Sequence, residues 1–167
     1  AVEAAGGTIA GHEFTTDKAT DFNAILTTLK GKKVDVVFFG GMDAVAGPMI
    51  KQMVQLGIKA KFMGGDGICS GELPKLAGEA LTDDMVYCAE AGGVEGEQKA
   101  GMEKFRADFK AKFNADVQVY APYVYDALNV MVAAMVKADS ADPAKYLPVL
   151  AAAADYKGVT GTISFDE

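Results

Sequence analysis

The stretch "VDVVFFGGMDAVAGPMIKQMVQLGIKAKFMGGDG", Val34 to Gly67, decides the fold. Its first apolar run, VDVVFFG, ends in the paired glycines Gly40 and Gly41. A helical pattern from Ala44 to Leu56 follows, with Val45, Met49, Ile50, Met53 and Val54 as the inward stripe and Gly57 as the stop. Pro48 fits there because it falls near the first turn. A second apolar run, AKFMGG, then delivers Asp66 between Gly65 and Gly67. Strand, helix and strand joined by short glycine turns read as a βαβ unit. The nearly unbroken apolar character of VDVVFFG predicts a strand covered on both faces.

The rest of the chain continues the alternation. "TIAGHEF" reads as a short strand ahead of this unit. "ATDFNAILTTLKG" reads as a helix with Phe22, Ile25, Leu26 and Leu29 inward, Thr20 as N-cap and Gly31 as stop. Beyond Gly67 come a short helical piece in "ELPKLAGEA" and a strand in "DMVYCAE". An amphipathic helix from Glu97 to Phe113 then carries the stripe Met102, Phe105, Phe109 and Phe113. A more buried helix is expected from Tyr123 to Lys137. Asp142-Pro143 caps and opens another, to about Ala154. "GVTGTISFDE" reads as a turn and a strand. The fold class is therefore α/β, a three-layer α/β/α sandwich with a mainly parallel sheet. Ligands of such sheets sit at the carboxyl ends of the strands, which singles out the loops Gly40 to Asp43, Gly64 to Ser70 and Ala89 to Glu95.

Composition narrows the partners. At 167 residues, half of them hydrophobic and 23% charged, the chain can bury one core. Its net charge of −7 argues against nucleic acid and against an anionic membrane surface. No uncharged apolar run is long enough to span a bilayer, so direct membrane insertion is not expected. The opening "AVEAAGG" resembles the last turn of a helix, and no signal-peptide pattern is present. The expectation is a fragment of a longer chain.

Catalysis finds little support. His12 is the one histidine and has no serine or cysteine elbow beside it. Neither a G-x-G-x-x-G turn nor a P-loop pattern occurs, so no nucleotide cofactor is expected. The acidic residues are scattered, without the clustering a metal site needs. Binding is the better reading. Asp66 either caps its turn or waits for a ligand ammonium, which it would hold by a charge-assisted bond. Asp43 reads as the cap of its helix. In "VQVYAPYVYDA", Tyr120 and Tyr123 are placed to wall an apolar ligand, or to pack structurally, and Tyr125 reads as packing inside. Cys69 and Cys88 are either a disulfide, worth about 3 kcal/mol in the chain-entropy model, or two buried free thiols. The disulfide would require an oxidising compartment.

"VDVVFFGGMDAVAGPMIKQMVQLGIKAKFMGGDG", "YAPYVYDALNVMVAAMVKA" and "GVTGTISFDE" together, in this order, resemble the periplasmic solute-binding proteins of ABC importers for branched-chain amino acids. The likeness covers nearly the whole chain. It implies two α/β lobes joined by a hinge and closing over the ligand. Residues 1–167 would then be the C-terminal ligand-binding lobe, of the type I periplasmic-binding fold, incomplete at its N-terminal side. The resemblance makes Asp66 the partner of the ligand's α-ammonium and sets Tyr120 against the ligand's side chain. Met42, after Gly41, stands where family members often carry a cleft tyrosine, so a hydroxyl is lost there and the apolar pocket is reshaped. The candidate binding residues are thus Asp66, Met42, Gly41, Tyr120 and Tyr123. The implied partners are a small aliphatic amino acid or amide and a membrane permease, and the implied compartment is the periplasm. A ligand-sensing domain of the same fold is the alternative, and an α/β enzyme without recognisable motifs a remote one.

The resemblance further places a strand and helix ahead of Ala1, with that strand central in the sheet. Residues 1–167 expressed alone are therefore expected to be poorly stable and to bind no ligand usefully, because ladder groups and half of the cleft would be missing. Thermal unfolding and calorimetry check this: a sharp, high-temperature transition, or micromolar leucine binding by the span alone, would contradict it.

Overall fold

The computed structural model describes residues 1–90, 93–96 and 98–165. Parts of three sequence readings lie outside the described residues: Ala91 and Gly92 of the third loop, Glu97 at the head of its helix, and Asp166 and Glu167 at the end. The chain divides into two compact units, Ala1–Ala91 and Gly92–Glu167.

The first unit is the βαβ unit and its continuation. Strands β1 (Val36–Phe39), β2 (Lys61–Gly64) and β3 (Val86–Cys88) form a parallel sheet in the order β1-β2-β3. The register sets Val37 beside Phe62 and Phe39 beside Gly64. One face thus carries Val37, Phe39 and Phe62, whose aromatic rings lie 5.9 Å apart. It is packed with Val45, Met49, Ile50 and Met53 of helix α2 (Asp43–Gln55), Leu26 of α1 (Asn23–Gly31), and Leu73 and Ala77 of α3 (Leu73–Ala77) into one core. Helix α2 stops as its sequence predicts. Gly57 takes φ 67°, its N–H bonds Val54 O, and the N–H of Ile58 bonds Met53 O, the paired closure of a Schellman motif.

Several local expectations are overturned. The other face of β1 is open, since Phe38 is 71% exposed and Val36 is also exposed, so VDVVFFG is not covered on both faces in this unit. Val54 points outward as well. "TIAGHEF" forms no strand: residues 8–14 are exposed and pair with no described strand. A single extended segment gains nothing until a neighbour supplies its ladder bonds. Thr20 does not cap α1. The carboxylate of Asp21 accepts the Asn23 N–H at 3.0 Å, and this bond with the Asn23 backbone, then that with its side-chain amide, holds the Asp21 carboxyl below its usual range. Thr20 is held instead through its carbonyl, which accepts from the Gln52 amide at 2.8 Å, while Gln52 Oε1 accepts the Phe22 N–H at 2.7 Å. One side chain of α2 thereby fixes the entry to α1.

The second unit holds α4 (Gln98–Phe113), α5 (Ala121–Lys137) and α6 (Pro143–Ala151), then a hairpin of two short strands, β4 (Tyr156–Lys157) antiparallel to β5 (Thr162–Ile163). Strand β4 had no signal in the sequence reading, and α6 stops at Ala151, short of Ala154. Asp142 does cap α6, accepting the Ala144 N–H at 3.0 Å. Helix α5 starts at Ala121, two residues before the expected Tyr123. Only Pro122, Asp126, Val130 and Ala134 are buried along it, whereas Val124, Leu128, Val132 and Val136 are exposed. Tyr125 is not inside either: it is half exposed, with its ring 5.0 Å from that of Phe105. Asp126 is buried, 2% exposed, and its carboxylate accepts from Val159 N–H (3.0 Å), Thr160 N–H (2.7 Å) and the Thr160 hydroxyl (2.6 Å). That set of donors makes burial of the group tolerable and pins the hairpin turn to α5.

Phe62 is fully buried at the centre of the sheet core. Phe62→Ala is expected to cost about 3–5 kcal/mol, read as a lower urea midpoint at unchanged slope.

Candidate functional site

The carboxyl ends of β1 and β2 lie side by side because the strands are parallel and in register, Phe39 opposite Gly64. The chain leaving β1 passes through Gly40, Gly41 and Met42 into α2. The chain leaving β2 passes through Gly65 into a single 3-10 turn, Asp66–Ile68. These two loops touch. A Cβ on Gly67 would stand 2.5 Å from the Gly41 carbonyl oxygen and 2.8 Å from Met42 Sδ. Backbone cannot yield by that much, so only glycine permits the approach.

Asp66 opens the turn and is exposed. Its Oδ1 accepts the Gly67 N–H at 3.1 Å, and its carbonyl accepts the Cys69 N–H at 2.9 Å. One bond therefore orients the carboxylate on its own loop. A carboxylate offers about four lone-pair sites, so capacity for a further donor remains. Met42 is the residue before α2 and is 52% exposed. Asp43 is not the cap read from the sequence: Met42 holds the N-cap position without a side-chain cap, and Asp43, already the first residue of α2, accepts the adjacent Ala44 N–H at 2.7 Å.

Two braces hold the Asp66 turn. The Ser70 hydroxyl donates to Asp43 Oδ2, and Ser70 Oγ accepts the Leu73 N–H at 3.2 Å. The loop after β2 is thereby fastened to the start of α2, and the first N–H of α3 gains a partner. On the other side, Cys69 and Cys88 form a disulfide, with Cα atoms 5.6 Å apart, to the last residue of β3. Ala89 N–H also bonds Gly64 O at 3.2 Å.

The structure thus brings Gly41, Met42 and Asp66 together within the first unit. Tyr120 and Tyr123 belong to the second unit, where Tyr120 precedes α5 and Tyr123 lies in its first turn, both partly exposed. Three residues apart at a helix start, they share one side of α5. The sequence reading singled out the loop Gly64 to Ser70 but gave no individual role to Ser70 or Gly67. Ser70 left a readable trace, a hydroxyl three residues before Leu73 at a helix start. Gly67 left none beyond its identity, because the atom it makes room for comes from another loop.

Gly67→Ala is expected to destabilise the protein by about 1–3 kcal/mol through the forced retreat of the Gly41 carbonyl, measured by chemical unfolding. The same change at Gly65, where a Cβ meets nothing within 4 Å, is the control and is expected to have a much smaller effect.

A family model described as "Periplasmic binding protein" matches residues 1–167. "Leu/Ile/Val-binding protein homolog 1" of Brucella abortus (strain 2308) is 36% identical over 147 residues, 88% of this chain and 38% of that protein. The "Leucine-, isoleucine-, valine-, threonine-, and alanine-binding protein" of Pseudomonas aeruginosa is 32% identical over 166 residues, 99% of this chain and 43% of that protein. Among solved structures, the branched-chain amino acid transporter substrate binding protein LivJ from Streptococcus pneumoniae, in complex with isoleucine, matches with a TM-score of 0.74 at 29% identity, over 91% of this chain and 43% of that one. The chain spans about two-fifths of the length of these curated relatives. With a family match over its full length and an α/β fold built on a parallel sheet, this chain belongs to the periplasmic binding proteins.

Proposed function

We propose that residues 1–167 are the C-terminal lobe of the solute-binding component of an ABC importer, and that the whole protein takes a branched-chain or other small aliphatic amino acid between two lobes. In this reading Asp66 receives the α-ammonium. Gly41 lets the ligand approach the backbone closely, and Met42 contributes apolar wall. Tyr120 and Tyr123 are assigned to the ligand's side chain. The observation that carries the proposal is the exposed, backbone-oriented carboxylate of Asp66 at the carboxyl edge of a parallel sheet. The names of the relatives support the substrate class.

Lobe closure would exclude water, and the ammonium–carboxylate attraction strengthens as the effective dielectric falls. Contacts made to both lobes at once exist only in the closed form, so ligand shifts the population toward it. That closed form is what a membrane permease would read, in the periplasm. No step of this scheme makes or breaks a covalent bond, so the protein acts as a carrier and not as an enzyme.

The test is a thermal-shift and calorimetric series on the intact protein with leucine, isoleucine, valine and their amides. Leucine or a close relative is expected to raise the melting temperature. Asp66→Asn is expected to cost about 2–5 kcal/mol of binding, the usual loss when one partner of a desolvated charge pair is removed, with little change in the ligand-free melting temperature. Equal ligand shifts in both proteins would leave Asp66 a turn residue only.

A further inference from the structure

We infer that the Cys69–Cys88 disulfide is a positioning element of the ligand site, holding the Asp66 turn in its binding geometry. The inference rests on the reading of Asp66 given above. Cys69 is the residue on which the turn Asp66–Ile68 closes: its N–H bonds the Asp66 carbonyl at 2.9 Å. The same residue is covalently tied to Cys88, which ends β3 and lies opposite Gly64, the last residue of β2. The bridge therefore runs across the carboxyl edge of the sheet and anchors the far end of a turn whose near end leaves β2.

Ile68, 1% exposed, seats the apolar end of the turn in the core, whereas the acidic end is held lightly. Asp66 itself is exposed, and its carboxylate is oriented by one bond, to the neighbouring Gly67 N–H. The Gly67–Gly41 approach is a contact without a hydrogen bond, and the Ser70–Asp43 bond acts one residue beyond Cys69. A three-residue 3-10 turn has little cohesion of its own. Without the bridge, Cys69 and the exposed Asp66 that it bonds gain alternatives around the buried Ile68, and the ligand must select the competent one. Affinity then falls by the fraction populated, even in a protein that remains folded.

A purely stabilising disulfide would behave differently. It would lower the melting temperature on removal but leave the dissociation constant of the folded protein unchanged at room temperature. The test uses the intact protein and L-leucine, comparing wild type, Cys69→Ser/Cys88→Ser and Asp66→Asn by calorimetry, with amide exchange over residues 66–70. The expected result is a folded double-serine variant that binds leucine roughly tenfold more weakly, with faster exchange at the Cys69 position than in β2. Should the serine pair not fold, Cys69→Ala/Cys88→Val, which keeps apolar volume at the site, carries the same measurement. Bridge removal that leaves the leucine dissociation constant within about twofold, while Asp66→Asn abolishes binding, overturns the positioning role alone. Unchanged binding in Asp66→Asn, or no branched-chain amino acid bound by the wild type, overturns the reading of the site as well.

Discussion

The parallel, in-register placement of β2 between β1 and β3 is the constraint on which the first unit depends. It follows from the crossover through α2, which must return the chain to the same end of the sheet before β2 begins. Phe62 at the centre of that sheet meets the apolar face of α2, so one burial event fixes both the helix and the strand order. The consequence for function is geometric. Every strand of this sheet ends at the same edge, and the loops bearing Met42 and Asp66, with Cys88 at the end of β3, are brought to it without any specific attraction among them.

Attractions then refine what topology delivers. Glycine at position 67 allows the first two loops to touch, the Ser70–Asp43 bond fastens them, and the disulfide ties the second to the end of β3. Asp43 shows how charge is divided between neighbouring acids. It sits at the positive end of α2, where a carboxylate is favoured, and its oxygens are taken by Ala44 and Ser70. Asp66, one loop away, is left exposed with a single orienting bond. Two aspartates after two similar glycine turns thus differ in availability because one begins a long helix and the other a single turn.

The second unit rests on a different kind of contact. Asp126 is a buried charge with three neutral donors from one hairpin turn, an arrangement in which the helix and the hairpin each satisfy the other's polar groups. It is the one buried polar or charged side chain among the described residues. Its stretch, "YVYDALNVM", reads as an apolar segment interrupted by an acid. The interruption is what joins α5 to the closing hairpin.

Local patterns settled much of this protein before any tertiary contact was known. The 3.6-residue stripe and Gly57 defined α2, Asp142-Pro143 defined the start of α6, and strand–glycine–helix order defined a parallel α/β sheet. These are properties of a segment and its immediate neighbours, so the sequence carries them. The family resemblance supplied the substrate class and the roles proposed for Asp66 and Tyr120, which spacing alone left open. Only the tertiary structure decided that "TIAGHEF" pairs with no described strand, that Gln52 and not Thr20 governs the start of α1, that Phe38 faces outward, and that Ser70 reaches Asp43. Each of these depends on an atom supplied from a distant part of the chain or withheld by it, and linear order does not say which distant atoms will meet.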